Sequence, residues 1–192
     1  QLDDKPYGGG AGMVLMAEPI LKAVTAVLRR SKKQEARSRR TLVVLLSAKG
    51  EQFNQRLAYR WSQKLDTMGL ISGRYEGVDE RVKTMIRDFG FKIQEISIGP
   101  YVLTDGDVAA MAVISAVARL IPGVIRLESL QEESHWNVLT KREARAGGRG
   151  VEYPHYTRPD VLRWRGKSYR VPSALLSGNH ARIAAWRAKH RR

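Results

Sequence analysis

Apolar positions along the chain fall into helical stripes, unbroken runs and short alternations. Glu18 to Leu28 carries Ile20, Leu21, Val24, Val27 and Leu28 at helical spacing. Thr41-Leu42-Val43-Val44-Leu45-Leu46 is a continuous apolar run between polar residues, the pattern of a strand buried on both faces of a parallel sheet. Ser47-Ala48-Lys49-Gly50 reads as the loop after it. Phe53 to Leu65 predicts a helix, and Met68 to Ile71 a strand. Glu80 to Phe89 predicts a helix that ends near Gly90, and Phe91 to Ile98 alternates as a strand. Asp107 to Leu120 is apolar over most of its surface through Val108, Ala109, Ala110, Met111, Val113, Ile114, Val117 and Ala118. It predicts a buried helix whose small residues permit close packing.

Between these elements lie loops rich in glycine. Gly73-Arg74-Tyr75-Glu76-Gly77 follows the apolar end Leu70-Ile71, and Ser97-Ile98-Gly99-Pro100-Tyr101-Val102-Leu103-Thr104-Asp105-Gly106 follows the next strand. Glycine lets a backbone approach a ligand closely, and ligands of open α/β sheets sit at strand carboxyl ends. The pair therefore suggests one ligand held between two loops, although GRYEG taken alone also fits an ordinary strand-to-helix turn.

Charge divides the chain. The net charge of +15 is unevenly spread. Residues 1–136 hold 20 basic and 16 acidic residues, whereas residues 137–192 hold 14 and 3. A near-neutral body with a basic end, in which Trp, Tyr and His interleave with arginine, predicts a nucleic-acid partner. Arg29 to Arg40, with seven basic residues and one acid, reads as a solvated helix end and loop. At 192 residues and 43% hydrophobic content the chain suits one domain plus a small appendage. It has no apolar run long enough for a membrane span. The absence of cysteine excludes disulfides and thiolate metal sites and fits a cytoplasmic protein. The four histidines are scattered, with no metal-ligand spacing. No P-loop is present, and no G-x-G-x-x-G follows a strand, which disfavours a dinucleotide oxidoreductase.

Six motifs occur in a fixed order: Pro6-Tyr7-Gly8-Gly9-Gly10-Ala11-Gly12-Met13, Gly73 to Arg81, Ser97 to Leu103, Ala118-Arg119-Leu120-Ile121-Pro122-Gly123, Pro154-His155-Tyr156-Thr157-Arg158-Pro159 and Leu176-Ser177-Gly178-Asn179-His180. Together they resemble the bacterial tRNA (guanine-N1)-methyltransferase family of the SPOUT class, from about Leu2 to Arg187. The resemblance implies an α/β fold with a trefoil-knotted parallel sheet flanked by helices and a small basic helical C-terminal appendage. It implies a knotted domain over 1–126, a flexible linker over 127–150 and a basic tRNA-binding segment over 151–192. Relative to the family pattern, about 50 residues before Leu2 and several helices after Arg187 are missing. The implied methyl donor is S-adenosylmethionine, with Mg2+ left open as an addition. The implied partners are tRNA and a second copy of the chain, with neither DNA nor membrane. The target is N1 of the guanosine just 3′ of the anticodon, position 37.

The same resemblance assigns residues. The donor pocket is lined by Ser47, Gly73, Tyr75, Glu76, Gly77, Ser97, Ile98, Gly99, Tyr101, Leu103 and Gly106. Tyr7, Gly8, Gly9, His155, Tyr156, Arg158, Ser177, Gly178, Asn179 and His180 bind substrate. Glu76 either opposes a sulfonium charge or caps a helix that begins near Val78. Arg119 either faces the developing charge on guanine O6, as a permanently charged two-donor group can, or satisfies carbonyls at a helix end. In the linker, Glu133 is the general base, and Glu132 stands beside it; both could instead be solvated charges. Three positions depart from the pattern: Asp105 for a glycine, Ala109 for a proline, and Pro100 for an acid. Asp105, Ala109 and the missing termini motivate an alternative, an RNA-binding protein that keeps the fold with impaired catalysis.

Overall fold

The computed structural model of the chain describes residues 1–34, 40–136 and 152–191. The glycine-rich linker segment 144–150 and residues 35–39 of the basic run lie outside the described residues. The chain divides into two compact units, Gln1–Ile125 and Arg126–Arg192.

The first unit is built around β3 (Thr41–Gln52), with β4 (Thr67–Ile71) and β5 (Lys92–Ser97) parallel to it on either side, in the order β4-β3-β5. Leu42 to Leu46 are all buried and Val44 is fully so, as an apolar run in a central parallel strand requires. Around the sheet lie α1 (Ala17–Gln34), α2 (Gln55–Lys64), α3 (Arg81–Asp88) and α4 (Asp107–Ala118). A short antiparallel pair, β1 (Asp3–Asp4) and β2 (Val14–Leu15), precedes α1. Leu21 and Leu28 of α1 join Val43, Leu45, Ile71, Val82 and Ile86 in one core cluster. Asn54 caps α2 by accepting from the Leu57 amide at 3.0 Å, and Trp61 is buried against Phe53.

Two expectations in this unit need correction. Ser47 to Gly50 is not a loop after the strand: β3 continues through it to Gln52. Leu46 and Glu51 both face Ile96, so the intervening residues form an outward irregularity in the ladder. Gly50 permits it, because a Cβ there would lie 2.4 Å from the Ile96 amide nitrogen. Helix α4 is buried on one face only, through Ala109, Val113 and Val117, while Val108, Met111 and Ile114 face outward.

The second unit contains α5 (Leu127–Glu132), a hairpin of β6 (Val161–Trp164) and β7 (Lys167–Arg170), α6 (Ser173–Leu176) and α7 (His180–His190). Leu127–Glu132, predicted as the start of a linker, is helical, with Leu130 buried one turn along. The hairpin is absent from the sequence-based description of a helical appendage. Arg165 and Gly166 turn it with positive φ at both positions, the twist that suits a two-residue connection. Among the described residues no helix is long and apolar enough to cross a membrane, and no cluster of metal-ligating side chains occurs.

Candidate functional site

The parallel strands end their carboxyl termini around a cavity of about 340 Å3, within the size of small-molecule sites. Ten of the eleven residues predicted to line a donor pocket line it: Ser47, Gly73, Tyr75, Glu76, Gly77, Ser97, Ile98, Tyr101, Leu103 and Gly106. Gly99 lies just behind. Its carbonyl accepts from Ser97 Oγ at 2.8 Å, and a Cβ there would come within 2.2 Å of the Tyr101 ring. Its role is to let the loop fold over that tyrosine.

The two glycine-rich loops are stitched together. The Gly106 amide donates to the Gly73 carbonyl at 2.8 Å, Arg74 and Asp105 pair as a bridge, and Ser72 Oγ donates to Asp107 at 2.6 Å. A Cβ at Gly106 would meet Ser72 and the Gly73 nitrogen at about 3 Å, so the backbones touch there. Asp105 is accommodated at this seam, where its carboxylate accepts from the Asp107 amide at 2.9 Å at the start of α4. Tyr75 holds φ at 55° in the cavity wall, a conformation uncommon for a side-chain-bearing residue.

Glu76 sits where the 73–77 loop meets the N-terminal glycine segment. Its amide donates to the Met13 carbonyl at 3.1 Å, and a Cβ on Gly12 would fall 2.2 Å from its Oε1. Glu76 does not cap a helix: α3 begins only at Arg81, and its first turn receives Asp79, whose carboxylate accepts from the Arg81 amide at 2.9 Å. Glu76 also lines a wider neighbouring hollow, together with Tyr7 of the glycine loop. Tyr7 is fully exposed, and Gly8 and Gly9 have open space around them at positive φ.

A half-buried charge cluster supports the cavity wall. Lys83 pairs with Glu95 at 2.7 Å and also with Glu80. Burial pushes the Glu95 carboxyl up, but hydrogen bonds from Lys83 and Ser47 outweigh it and hold the group below the usual carboxylate range. Hydrogen bonds to Glu80 and Glu95 raise Lys83 above its ordinary value. The depressed Glu95 contributes stability that is complete above its ordinary 4.5 and is lost as pH falls through the folded value. The Lys83 contribution is complete below 10.5 and is lost as pH rises through its folded value. Thermal unfolding should therefore show an acid limb below about pH 4.5 that flattens in Glu95→Gln; an unchanged limb in that variant would remove the cluster from the account.

The remaining predicted residues are distributed. Arg119 is the C-cap residue of α4, half-buried and outside the cavity lining. In the second unit, Glu133 is the C-cap residue of α5. The segment after it is already held: Ser134 and Glu152 exchange hydrogen bonds, amide to carboxylate at 2.6 Å and amide to hydroxyl at 3.1 Å. The Ser134 amide, and then His155 at 2.9 Å, keep the Glu152 carboxyl below its usual range. Tyr156 packs edge-on to Trp186, and Arg158 is exposed. Ser177, Gly178 and Asn179 form the turn between α6 and α7: Ser177 Oγ donates to the Ala174 carbonyl, Gly178 has φ 65°, and Asn179 caps α7 through the Arg182 amide. His180 is the first residue of α7.

The family model for tRNA (Guanine-1)-methyltransferase TrmD matches residues 1–192, the whole chain. The chain belongs to this family. It is 50% identical over 190 residues to a tRNA (guanine-N(1)-)-methyltransferase of Chloroflexus aggregans, covering 99% of this chain and 64% of that protein. Proteins of the same name from Carboxydothermus hydrogenoformans and Thermomicrobium roseum are 47% and 48% identical over 98% and 97% of this chain, and 63% and 59% of their own lengths. The chain thus spans about three fifths of the length of these curated relatives. Within the TrmD family the parallel sheet and flanking helices of the first unit are the expected architecture.

Proposed function

We propose that the chain transfers a methyl group from S-adenosylmethionine to N1 of the guanosine 3′ of the anticodon in tRNA. The observation that carries this reading is the convergence of both glycine-rich loops on one cavity at the strand carboxyl ends, in a chain of the TrmD family. The cavity fits the donor chemically. Leu45, Ile96, Leu103 and Ala109 offer apolar surface to a purine, glycine-flanked backbone offers hydrogen bonds to its edge, and Glu76 offers a carboxylate to a cation. When bound there, S-adenosylmethionine would supply an electrophilic methyl group, whose bond to sulfur breaks as the bond to N1 forms, leaving a neutral thioether.

The chain's own residues supply the rest. Glu133 takes the N1 proton as the new N1–carbon bond forms, a contribution of roughly 10²–10⁴-fold for a positioned base. Arg119 donates to O6, where negative charge develops. The stitched loops fix the donor's orientation, and orientation is worth on the order of 7–11 kcal/mol at best. The reading brings with it a trefoil knot and a homodimer. The parallel β4-β3-β5 order and the outward apolar face of α4 support them. It also makes the second unit the main tRNA-binding part, supported by its basic charge. Cytoplasmic location follows from the substrate.

Calorimetry with S-adenosylmethionine tests the cavity directly. Saturable binding is expected, weakened in Glu76→Gln. No heat at millimolar ligand would overturn the assignment of the cavity.

A further inference from the structure

The β6–β7 hairpin carries surface that none of the assigned roles uses. Cross-strand pairing sets Leu162 opposite Tyr169 and Trp164 opposite Lys167. Side chains alternate along a strand and opposed residues share a face, so Leu162, Trp164, Tyr169 and Lys167 form one face. Leu162, Trp164 and Tyr169 are 51%, 62% and 54% exposed. Arg163 and Arg170 belong to the opposite face and are exposed. The ten residues of the hairpin include four basic residues and no acid.

Two aromatic rings diagonal to each other on an open, cationic hairpin are unlike a surface awaiting an apolar protein partner, which would leave the four cations unpaired. They suit a polyanion that also has flat faces. We propose that this face is a stacking platform for unpaired bases of an RNA, with Trp164 and Tyr169 as the two stacking groups and Lys167, on the same face, answering a flanking phosphate. Bases reach aromatic side chains only where they are unstacked, in loops, bulges and ends, and such stacking tolerates any base because every base has a π-face. The platform would therefore select loop over stem without reading sequence. The proposal deepens the tRNA reading above and rests on it for the identity of the RNA.

The test uses the full chain and two labelled probes, a stem-loop RNA and a blunt duplex of the same stem, titrated at several salt concentrations. Trp164→Ala and Tyr169→Ala should each weaken stem-loop binding by about 5- to 100-fold, the range for loss of one stacked base. Duplex affinity and the salt slope should stay unchanged, and Trp164→Phe should restore most of the loss. Lys167→Ala should instead lower affinity for both probes and reduce the salt slope by about one unit. Equal losses on both probes, or no loss in either aromatic variant, would overturn the platform. So would a fall in sedimenting mass on Trp164→Ala, since the face would then join copies of the chain. Methyl transfer by the unaltered chain, measured on tRNA in parallel, separates the outcomes: its absence refutes the proposed activity, whereas its presence with unaltered Trp164→Ala binding refutes the platform alone.

Discussion

Glu133→Gln should lower the single-turnover rate of methyl transfer on the order of 10²-fold or more, with S-adenosylmethionine affinity retained. The substitution keeps size and polarity but removes the negative charge and the capacity to accept a proton. Glu133 ends α5, and the residue after it is fixed by the reciprocal Ser134–Glu152 bonds, so the backbone at this position is held at two adjacent points. An amide in place of the carboxylate leaves those bonds intact, since neither uses the Glu133 side chain. The loss should therefore appear in the chemical step rather than in folding. Glu132→Gln is the control for register. If it abolishes transfer while Glu133→Gln does not, the base is Glu132; if neither variant changes the rate, this segment supplies no base.

The second large effect concerns α4. Val108, Met111 and Ile114 expose apolar surface on the face opposite the buried Ala109, Val113 and Val117, and Ile121 and Val124 extend it beyond the helix end. A continuous exposed apolar strip of this kind marks an interface. Met111 is 70% exposed, so Met111→Asp should leave the first unit folded. Within a dimer it would bury an uncompensated carboxylate, at a cost of about 3–5 kcal/mol, a factor of on the order of 10² or more in the association constant. Sedimentation should show a dimer for the unaltered chain and a monomer for Met111→Asp at the same concentration, with methyl transfer lost in the variant. A stable monomer for the unaltered chain that transfers methyl normally would contradict the dimer and the need for it.

The parts of the fold that the sequence discloses are those governed by burial. Thr41 to Leu46 has the signature of a central parallel strand because both its faces are covered, and the stripes that mark α1 and α3 are the faces that reach the core. Where polarity and structure disconnect, the pattern misleads. Ser47 to Gly50 is polar and looks like a loop, yet backbone pairing resumes past it because Gly50 lets two main chains touch. The hairpin has no buried face: Leu162, Arg163, Trp164 and Arg165 do alternate apolar and basic, but over too few residues to mark a strand, and only Gly166 hints at the turn. Helix α5 spans fewer than two turns, too short for periodicity to register.

The candidate site follows the same logic. Gly106 is legible because close backbone approach leaves few alternatives to glycine, and Gly77 because its φ of 112° does the same. The positive φ of Tyr75 and the contact between Gly12 and Glu76 are not, since both depend on how separate loops meet. Asn179 and Ser177 show the converse. The resemblance assigns both to substrate, and in the structure Asn179 caps α7 and Ser177 closes the turn before it.

The central claim is methyl transfer to one atom of one nucleotide, and nucleoside analysis of the product tests it most directly. The chain would be incubated with unmodified tRNA and S-adenosylmethionine carrying a labelled methyl group, and the digested RNA resolved by mass. The account predicts label in 1-methylguanosine at the nucleotide 3′ of the anticodon, and none when that guanosine is replaced by adenosine. Label on another atom or nucleotide, or unmodified tRNA despite bound S-adenosylmethionine, would contradict it.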